Sequence, residues 1–251
     1  MARRRFFVDH IHRGEAQIEG EEADHLRKVL RAEIGQRYEI TDNQQVYLAE
    51  VAGFAKHQVN LRVIEPIETP EPVVRLTLLA SLIKFDRFEW MVEKATELGV
   101  DAIIPVRAER SDFGLDRAAP KRIERWRRIA RESSQQSRRV RMPEVYDLVS
   151  LPQALETSAE YRFWLDECPG AAPLLRMLPS NPNKGAHVAC LVGPEGGWAD
   201  RERELMSGSP FRAASLGSSI LRAETAAMAA LTLVQHSWFA GTLPSNNGES
   251  V

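Results

Sequence analysis

The stretch LVGPEGGW, residues 191–198, decides how the second half of this chain folds. An apolar run from Val188 to Val192 leads into the glycine-rich segment Gly193–Gly197, and an acidic segment with helical propensity follows at once. A strand that ends in a glycine-rich turn before a helix is a common ligand-binding arrangement in parallel α/β sheets. The stretch therefore predicts a binding site at the carboxyl end of a buried strand.

Strands and helices alternate on both sides of this stretch, from residue 73 to residue 241. RLTLLASLI (75–83) is typical of a strand, and DRFEWMVEKATELG (86–99) is typical of a helix with a C-terminal glycine. A second loop, LGSSILRAETA (216–226), again joins the end of a strand to a helix. This alternation predicts an α/β domain whose parallel sheet is covered by helices on both faces.

The first 70 residues have a different pattern, in which short strands rich in aromatic and β-branched residues are separated by turns. One helix interrupts them, with Leu26, Val29 and Leu30 expected on one face. EPIETPEP (65–72) carries three prolines and three glutamates and predicts a boundary between domains 1–70 and 73–241. The polar residues 242–251 predict a disordered tail.

Charge is unevenly distributed, although the formal net charge of the chain is only −2. Residues 117–141 contain ten basic side chains against two glutamates, and arginine far outnumbers lysine. Arginine binds phosphates in pairs of hydrogen bonds and stacks on bases, so this segment suits nucleic acid. Arginine-favouring codon usage is an equally good explanation of the overall bias.

Composition excludes several classes of protein. No apolar run reaches the roughly 18 residues of a membrane span, and the N-terminus lacks the apolar region of a secretory signal. The two cysteines, Cys168 and Cys190, lie in no CxxC pair and near no histidine cluster, so neither a disulfide framework nor a metal site is expected. These features predict a protein of the reducing cytoplasm.

Neither glycine loop carries a nucleotide motif, since G-x-G-x-x-G and G-x-x-x-x-G-K-[ST] are both absent from them. Glu195 would repel a phosphate about 4 Å away by roughly 4 kcal/mol at an effective dielectric near 20, and no lysine is close in sequence. The first loop therefore favours a ligand that is neutral or cationic, and S-adenosylmethionine fits that description. The alternative is a close-packed turn that binds nothing.

Four segments carry a resemblance to a known family: KFDRFEWMVEKATELGV, GPEGGW, LGSSILRAETA and HLRKVLRAEIG. They closely resemble the 16S ribosomal RNA uridine-N3 methyltransferases of the SPOUT (α/β-knot) superfamily, over a range from about Arg4 to Phe239. The resemblance implies a C-terminal parallel-sheet α/β-knot (SPOUT) domain with a trefoil knot, and a small N-terminal PUA-like β-barrel that binds RNA. It also implies a homodimer, S-adenosylmethionine as cofactor, and 16S rRNA of the small ribosomal subunit as substrate.

The resemblance places the cofactor within three segments, around Leu165, Gly193–Gly197 and Leu216–Thr225. The predicted cofactor-binding residues are Leu165, Val192, Gly193, Pro194, Glu195, Gly196, Gly197, Leu216, Gly217, Ile220, Leu221, Arg222, Ala223, Thr225 and Ala226.

Methylation at uridine N3 needs the imide proton removed and the resulting charge on O2 and O4 stabilised. Arg222 is the predicted stabilising group, and Glu195 and Glu224 are the candidate proton acceptors. The alternatives are a salt bridge from Arg222 to one of these glutamates, and a role for Glu224 in stabilising its helix N-terminus. Arg138 is a further catalytic candidate. The segment QQSRR departs from a family pattern with glycine before the arginine, so Arg138 and Arg139 both remain candidates for the functional arginine.

Further arginines are expected to contact RNA phosphates, with a solvated surface as the alternative; they are Arg4, Arg5, Arg27, Arg31, Arg125, Arg128 and Arg139. Trp90 and Trp126 have apolar neighbours at helical spacing and are predicted to lie in the core. Two other functions stay open: a non-catalytic rRNA-binding or assembly module of the same fold, and an α/β enzyme acting on a nucleotide or small anion.

Overall fold

The computed structural model describes residues 5–168 and 170–242, which form two compact units. The first unit takes the chain up to Glu71 together with Arg131–Met142, and the second takes Pro72–Ala130 and the chain from Pro143 onward. The division falls within the segment 65–72 that the sequence pattern marks as a boundary. That pattern gave no sign that 131–142 belongs with the first unit. Arg4 and the tail beyond residue 242 lie outside the described residues.

The first unit is built on a six-stranded sheet in the order β1-β4-β5-β6-β3-β2. The strands are β1 (Arg5–Phe7), β2 (Ile11–His12), β3 (Glu15–Glu19), β4 (Arg37–Thr41), β5 (Val46–Ala55) and β6 (Gln58–Ile67). Strand β1 pairs with β4 in parallel, whereas the other neighbours pair antiparallel. Phe6, Leu26, Ile40 and Leu61 are among the buried residues of its core. The unit is mostly β, as expected, and its description as a PUA-like barrel stays a prediction.

The helix of the first unit differs from the regular helix that the sequence predicts. Helix α1 (Gly20–Asp24) passes directly into a π-helical turn, His25–Val29, in which the amide of Leu30 donates to the carbonyl of His25 at 3.1 Å. The wider turn shifts the residues that follow away from the 3.6-residue period. Leu26 is buried, whereas Val29 is 64% exposed and Leu30 is 36% exposed, so the prediction that the three residues share one face was wrong.

The second unit is an eight-stranded sheet in the order β10-β8-β7-β13-β11-β14-β12, with β9 beside β8. All the strand pairings of this sheet among the described residues are parallel. The strands are β7 (Val74–Ser81), β8 (Ala102–Arg107), β9 (Glu144–Val145), β10 (Val149–Ser150), β11 (Tyr161–Leu165), β12 (Ala172–Pro173), β13 (Ala186–Val192) and β14 (Arg212–Ser215). The predicted α/β fold with a parallel sheet is thereby confirmed.

Seven α-helices accompany these strands in the described chain: α2 (Phe85–Glu97), α3 (Leu115–Ala118), α4 (Ile123–Gln136), α5 (Leu151–Leu155), α6 (Leu174–Met177), α7 (Asp200–Ser207) and α8 (Ala223–Thr242). A 3₁₀ turn, Ala119–Lys121, precedes α4. The last residues of α4 belong to the first unit. None of the helices in the described part of the chain is long and apolar enough to cross a membrane.

Strand β13 shows why the apolar run before the glycine loop is continuous. Val188 and Cys190 pack into one core cluster of the second unit, whereas Ala189 and Leu191 pack into another. Because alternate side chains point to opposite faces, a strand covered on both faces is apolar at every position. Burial also raises the pKa of the Cys190 thiol to about 12, so this cysteine acts as a core residue.

The two tryptophans expected in the core have different surroundings. Trp126 in α4 is fully buried, and its ring lies against Phe88 with ring centroids 4.4 Å apart. Trp90 is 45% exposed, so its prediction as a core residue was wrong. The buried face of α2 is formed by Phe88, Met91 and neighbouring residues, and Trp90 lies outside it.

Candidate functional site

Both glycine loops line one cavity of about 380 Å³ at the carboxyl ends of the adjacent strands β11, β13 and β14. All the predicted cofactor-binding residues line it except Thr225, which is exposed. The lining residues that the sequence analysis missed are Asp166, Glu167, Trp198, Ser215 and Ser219. Asp166 and Glu167 follow directly after strand β11, so their position at the end of a buried strand was the signal that could have revealed them.

Trp198 fixes the first loop to the end of the neighbouring strand. Its ring is buried, and its Nε1 donates a hydrogen bond to the carbonyl of Leu165 at 2.9 Å. A Cβ on Gly193 would lie 2.9 Å from Cε2 of this ring, closer than two carbon atoms can approach. Position 193 must therefore be glycine to accommodate the tryptophan.

The turn itself has a second requirement at Gly197. This residue has φ +66°, in the left-handed region that favours glycine, and its amide donates to the carbonyl of Pro194 at 2.9 Å. Gly196 is confined in a different way, because a Cβ there would meet Cβ of Arg110 at 3.0 Å. Arg110 also donates from Nη1 to the carbonyl of Gly196 at 3.3 Å. Protein atoms therefore constrain each glycine of the loop.

Glu195 is ion-paired with Arg87 of helix α2, which corrects the argument from sequence about its charge. The expectation that nothing offsets this carboxylate considered only residues close in the chain, and Arg87 lies far from it in sequence. Repulsion by Glu195 therefore no longer excludes an anionic ligand. Arg222 is therefore not the partner of Glu195.

A second charged group borders the cavity where strand β11 ends. Arg203 of helix α7 contacts Asp166 and Glu167 through Nη2, each at 3.1 Å, and donates to the carbonyl of Trp198 at 2.5 Å. Hydrogen bonding to Asp166 raises the pKa of the Arg203 guanidinium above its usual value, so the group stays charged. The arginine ties α7 to the residues just after β11.

The second loop makes fewer contacts than the first. Ile220 is 86% exposed and Leu221 is 36% exposed, and the guanidinium of Arg222 forms no ion pair with any residue that the structure describes. The salt bridge considered as the alternative role of Arg222 is therefore not present. Oε2 of Glu224 is buried without a hydrogen-bond partner in the described chain, although Glu224 does not line the cavity.

Arg5 and Arg138 both form ion pairs with Glu39 on β4. The sequence had predicted an RNA contact for Arg5 and a catalytic role for Arg138. Nη2 of Arg5 lies 2.9 Å from Glu39 and that of Arg138 lies 2.5 Å from it, while Arg5 also donates to the carbonyl of Arg138. Arg5 is only 6% exposed, which leaves it no surface for an RNA phosphate. Arg138 is not among the residues that line the cavity.

Several arginines of the basic segment 117–141 also pair with carboxylates. Arg125 makes two hydrogen bonds to Glu89, at 2.7 and 2.8 Å, and Arg127 pairs with Glu124 and Asp147. The local excess of positive charge is therefore smaller in the fold than in the sequence.

The remaining predicted RNA contacts show no common arrangement. Arg27 is exposed with its Cζ 5.9 Å from the centre of the Phe54 ring, and Arg31 is exposed. Arg128 is exposed, whereas Arg139 is half-buried and donates to the carbonyl of Arg141 at 2.9 Å. No group of three or more histidine, cysteine or acidic side chains that could hold a metal occurs among the described residues.

Residues 69–235 match the family model described as an RNA methyltransferase domain. A ribosomal RNA small subunit methyltransferase E from Bacillus subtilis is 33% identical over 87% of this chain and 89% of the relative. Its counterpart from Aquifex aeolicus is 29% identical over 86% and 91%.

Two solved structures share the fold. One is a ribosomal RNA small subunit methyltransferase E from Neisseria gonorrhoeae bound to S-adenosyl methionine, with a TM-score of 0.84 at 27% identity over 94% of this chain and 98% of the other. The second, from Legionella pneumophila, contains the bound cofactor SAM, with a TM-score of 0.84 at 28% identity and the same coverage.

Proposed function

This chain belongs to the RNA methyltransferase family, and on that premise we propose that it transfers a methyl group from S-adenosylmethionine to N3 of a uridine in 16S rRNA. The observation that carries the proposal is the single cavity formed by the two predicted loops at the ends of three parallel strands. The rRNA of the small subunit as substrate is supported by the names of the relatives. The N3 position comes from the sequence resemblance.

The cavity suits this cofactor in size and chemistry. Its volume of about 380 Å³ lies within the common range of roughly 300–1,000 Å³ for ligand pockets. Gly193–Gly197 offer backbone groups, and Leu165 and Leu216 offer apolar surface for an adenine ring. When bound, the cofactor supplies an electrophilic methyl group.

The residues of the second loop provide what uridine N3 requires. Arg222 lines the cavity with a guanidinium that no described carboxylate neutralises, so its paired donors can stabilise negative charge on O2 or O4. Glu195, which lines the cavity, and Glu224, which does not, both stay candidates for removal of the N3 proton. Glu195 is held by Arg87, whereas Oε2 of Glu224 has no hydrogen-bond partner in the described chain.

The choice between Arg138 and Arg139 is guided by the backbone. Arg138 has φ +56°, a conformation that favours glycine and that other residues adopt at a cost of about 1–2 kcal/mol. We infer that Arg138 stands where related sequences have glycine, so that Arg139 corresponds to the functional arginine. A contact to RNA is the role we assign to Arg139.

Titration calorimetry tests the cofactor assignment. We expect the wild-type protein to bind S-adenosylmethionine and not ATP. We expect Gly193→Ala to weaken that binding by about 5- to 150-fold, because overpacking typically costs about 1–3 kcal/mol and here displaces Trp198. Gly208→Ala is the matched control, since its added Cβ would make only ordinary contacts of 3.6 Å and longer. Preference for ATP would instead support a nucleotide-dependent enzyme.

Mass mapping of 16S rRNA from a deletion strain tests the reaction, with the gene restored in a parallel strain. We expect one methylated uridine to disappear on deletion and to return on restoration. An unchanged rRNA together with retained rRNA binding would support the non-catalytic module. The trefoil knot, the PUA-like barrel, the homodimer and the cytoplasmic location remain predictions, and sedimentation of the purified protein tests the dimer.

A further inference from the structure

A second cavity, of about 680 Å³, lies at the carboxyl end of strand β8 in the second unit. Its walls are the segment that follows β8, the beginning of helix α5 and one side of helix α7. The residues that line it and bear on its chemistry are Arg107, Ser111, Phe113, Arg117, Arg201 and Leu205.

Phe113 is 96% exposed in this cavity, which is unusual for a phenylalanine. Cζ of Arg117 lies 5.8 Å from the centre of its ring, and Leu205 on the opposite wall is 44% exposed. A bare aromatic ring beside an arginine is the arrangement on which single-stranded nucleic-acid bases stack, at about 1–3 kcal/mol per base.

The polar groups of the cavity are only partly used by the protein itself. Arg201 pairs with Glu109 at 2.5 Å, whereas Arg107 and Arg117 form no ion pair with any described carboxylate. Oγ of Ser111 is buried and has no hydrogen-bond partner in the described chain. The carboxylate of Asp112 adds an acceptor, so the cavity offers both donors and acceptors to a ligand.

The wall that carries Phe113 is continuous with the cofactor cavity. Arg110, three residues earlier, fills the space beside Gly196 and donates to its carbonyl. The amide of Glu109 donates to Oε1 of Glu202 at 2.8 Å, which fixes the same segment to helix α7. One segment, Glu109–Phe113, therefore contacts the first glycine loop and also forms a wall of the second cavity.

We propose that this second cavity binds a nucleobase of the RNA substrate near the uridine that is methylated. The base stacks on Phe113, its polar edge meets Asp112, and the adjoining phosphates contact Arg107 and Arg117. The proposal rests on the proposed function, because it takes its ligand from that reaction. The unpaired arginines favour RNA over a protein partner as the occupant.

Binding of a 16S rRNA transcript to the full chain tests this proposal. Phe113→Ala should weaken RNA binding by about 5- to 150-fold, the equivalent of one lost stacked base, and Phe113→Trp should retain it. Tyr146→Ala is the matched control, since Tyr146 is a 40% exposed aromatic residue that lines neither cavity. Affinity for S-adenosylmethionine should be the same in all four proteins.

Salt dependence tests the phosphate contacts separately. Removing Arg107 and Arg117 together should lower the slope of log affinity against log salt by about 1.4, or about 0.7 for each single-strand phosphate. Unchanged RNA affinity in Phe113→Ala overturns the proposal. If the sedimentation coefficient of this variant changes while its RNA affinity does not, the cavity binds a protein partner, and the proposal is overturned as well. A wild-type protein that neither binds S-adenosylmethionine nor methylates RNA would contradict the proposed function instead. Titration of the variants with RNA would still show whether this cavity contributes to RNA affinity.

Discussion

The loop that carries Arg222 and the turn that carries Arg138 differ in whether the guanidinium of the arginine forms an ion pair within the protein. Arg222 lies on an exposed loop beside the cofactor cavity, and no described carboxylate neutralises it. Arg138 lies in a left-handed turn, and its guanidinium is bound to the largely buried Glu39. An arginine can act on a ligand only with donors that the fold has not already used. From this difference we propose that Arg222 acts in the methyl transfer and that Arg138 stabilises the first unit.

Replacing Arg222 is expected to give the largest effect. Arg222→Ala should lower the single-turnover methylation rate by about 10²–10³-fold, the usual consequence of losing one donor to a developing negative charge. Arg222→Lys should restore little, because an ammonium group cannot reproduce the paired donors. The melting temperature should stay within about 1 °C of wild type, and a large decrease in it with a normal rate would reverse the assignment.

Removing the Arg138 side chain should affect stability and not the rate. Arg138→Ala deprives Glu39 of one of its two partners, which we expect to cost about 1–2 kcal/mol of unfolding free energy because the arginine is itself partly exposed. Urea denaturation measures this change, and single-turnover kinetics on the same preparation provides the control. If Arg138→Ala instead lowered the rate 100-fold and left the stability unchanged, Arg138 would act in the reaction as Arg222 does.

The backbone at position 138 gives a smaller and sharper test. Arg138→Gly and Arg138→Ala lose the same ion pair, but glycine adopts φ +56° without strain. The glycine variant should therefore be more stable than the alanine variant by about 1 kcal/mol in urea denaturation. Equal stability of the two variants would show that the turn is not left-handed in solution.

The smallest expected effect is the change in unfolding free energy when the pH is lowered. Burial works to raise the pKa of the Glu39 carboxyl, but hydrogen bonds from Arg138 and Arg5 and their positive charges lower it further, so the net pKa lies below its usual value. The unfolded chain, with a pKa of about 4.3, then takes up the proton first. This contribution is present above about pH 4.3 and is lost as the pH falls through the pKa of the folded state.

Glu39→Gln removes that contribution. Its unfolding free energy should therefore decrease less than that of wild type between about pH 5 and pH 3. Glu65→Gln, at an exposed position on β6, is the matched control and should follow the wild-type curve. A parallel decline of all three proteins would mean that Glu39 is not held by the two arginines.

The parallel sheet and both glycine loops were predictable because their signals are local. Apolar runs of strand length and glycines between a strand and a helix are readable within about ten residues. Among the described residues, nearly every predicted cofactor-binding position lines the cavity for the same reason.

What escaped prediction are contacts between residues far apart in the chain. Arg87 with Glu195, Arg110 with Gly196 and Trp198 with Leu165 each join separate elements, and no local pattern specifies which elements meet. The ion pairs that occupy much of the basic segment 117–141 were missed for the same reason. A charge count treats every arginine as available, whereas the fold decides which ones have carboxylate neighbours.

The place of β7 between β8 and β13 has a consequence for how the protein is made. Thr77 on β7 and His187 on β13 meet at 2.8 Å although 110 residues separate them, whereas β5 and β6 of the first unit are joined by a short hairpin turn. At synthesis rates of roughly 5–20 residues per second, a nascent β7 waits about 5–20 s for its second neighbour. During that interval its apolar edge is open on the ribosome, and this edge is where we expect the growing chain to need protection from aggregation.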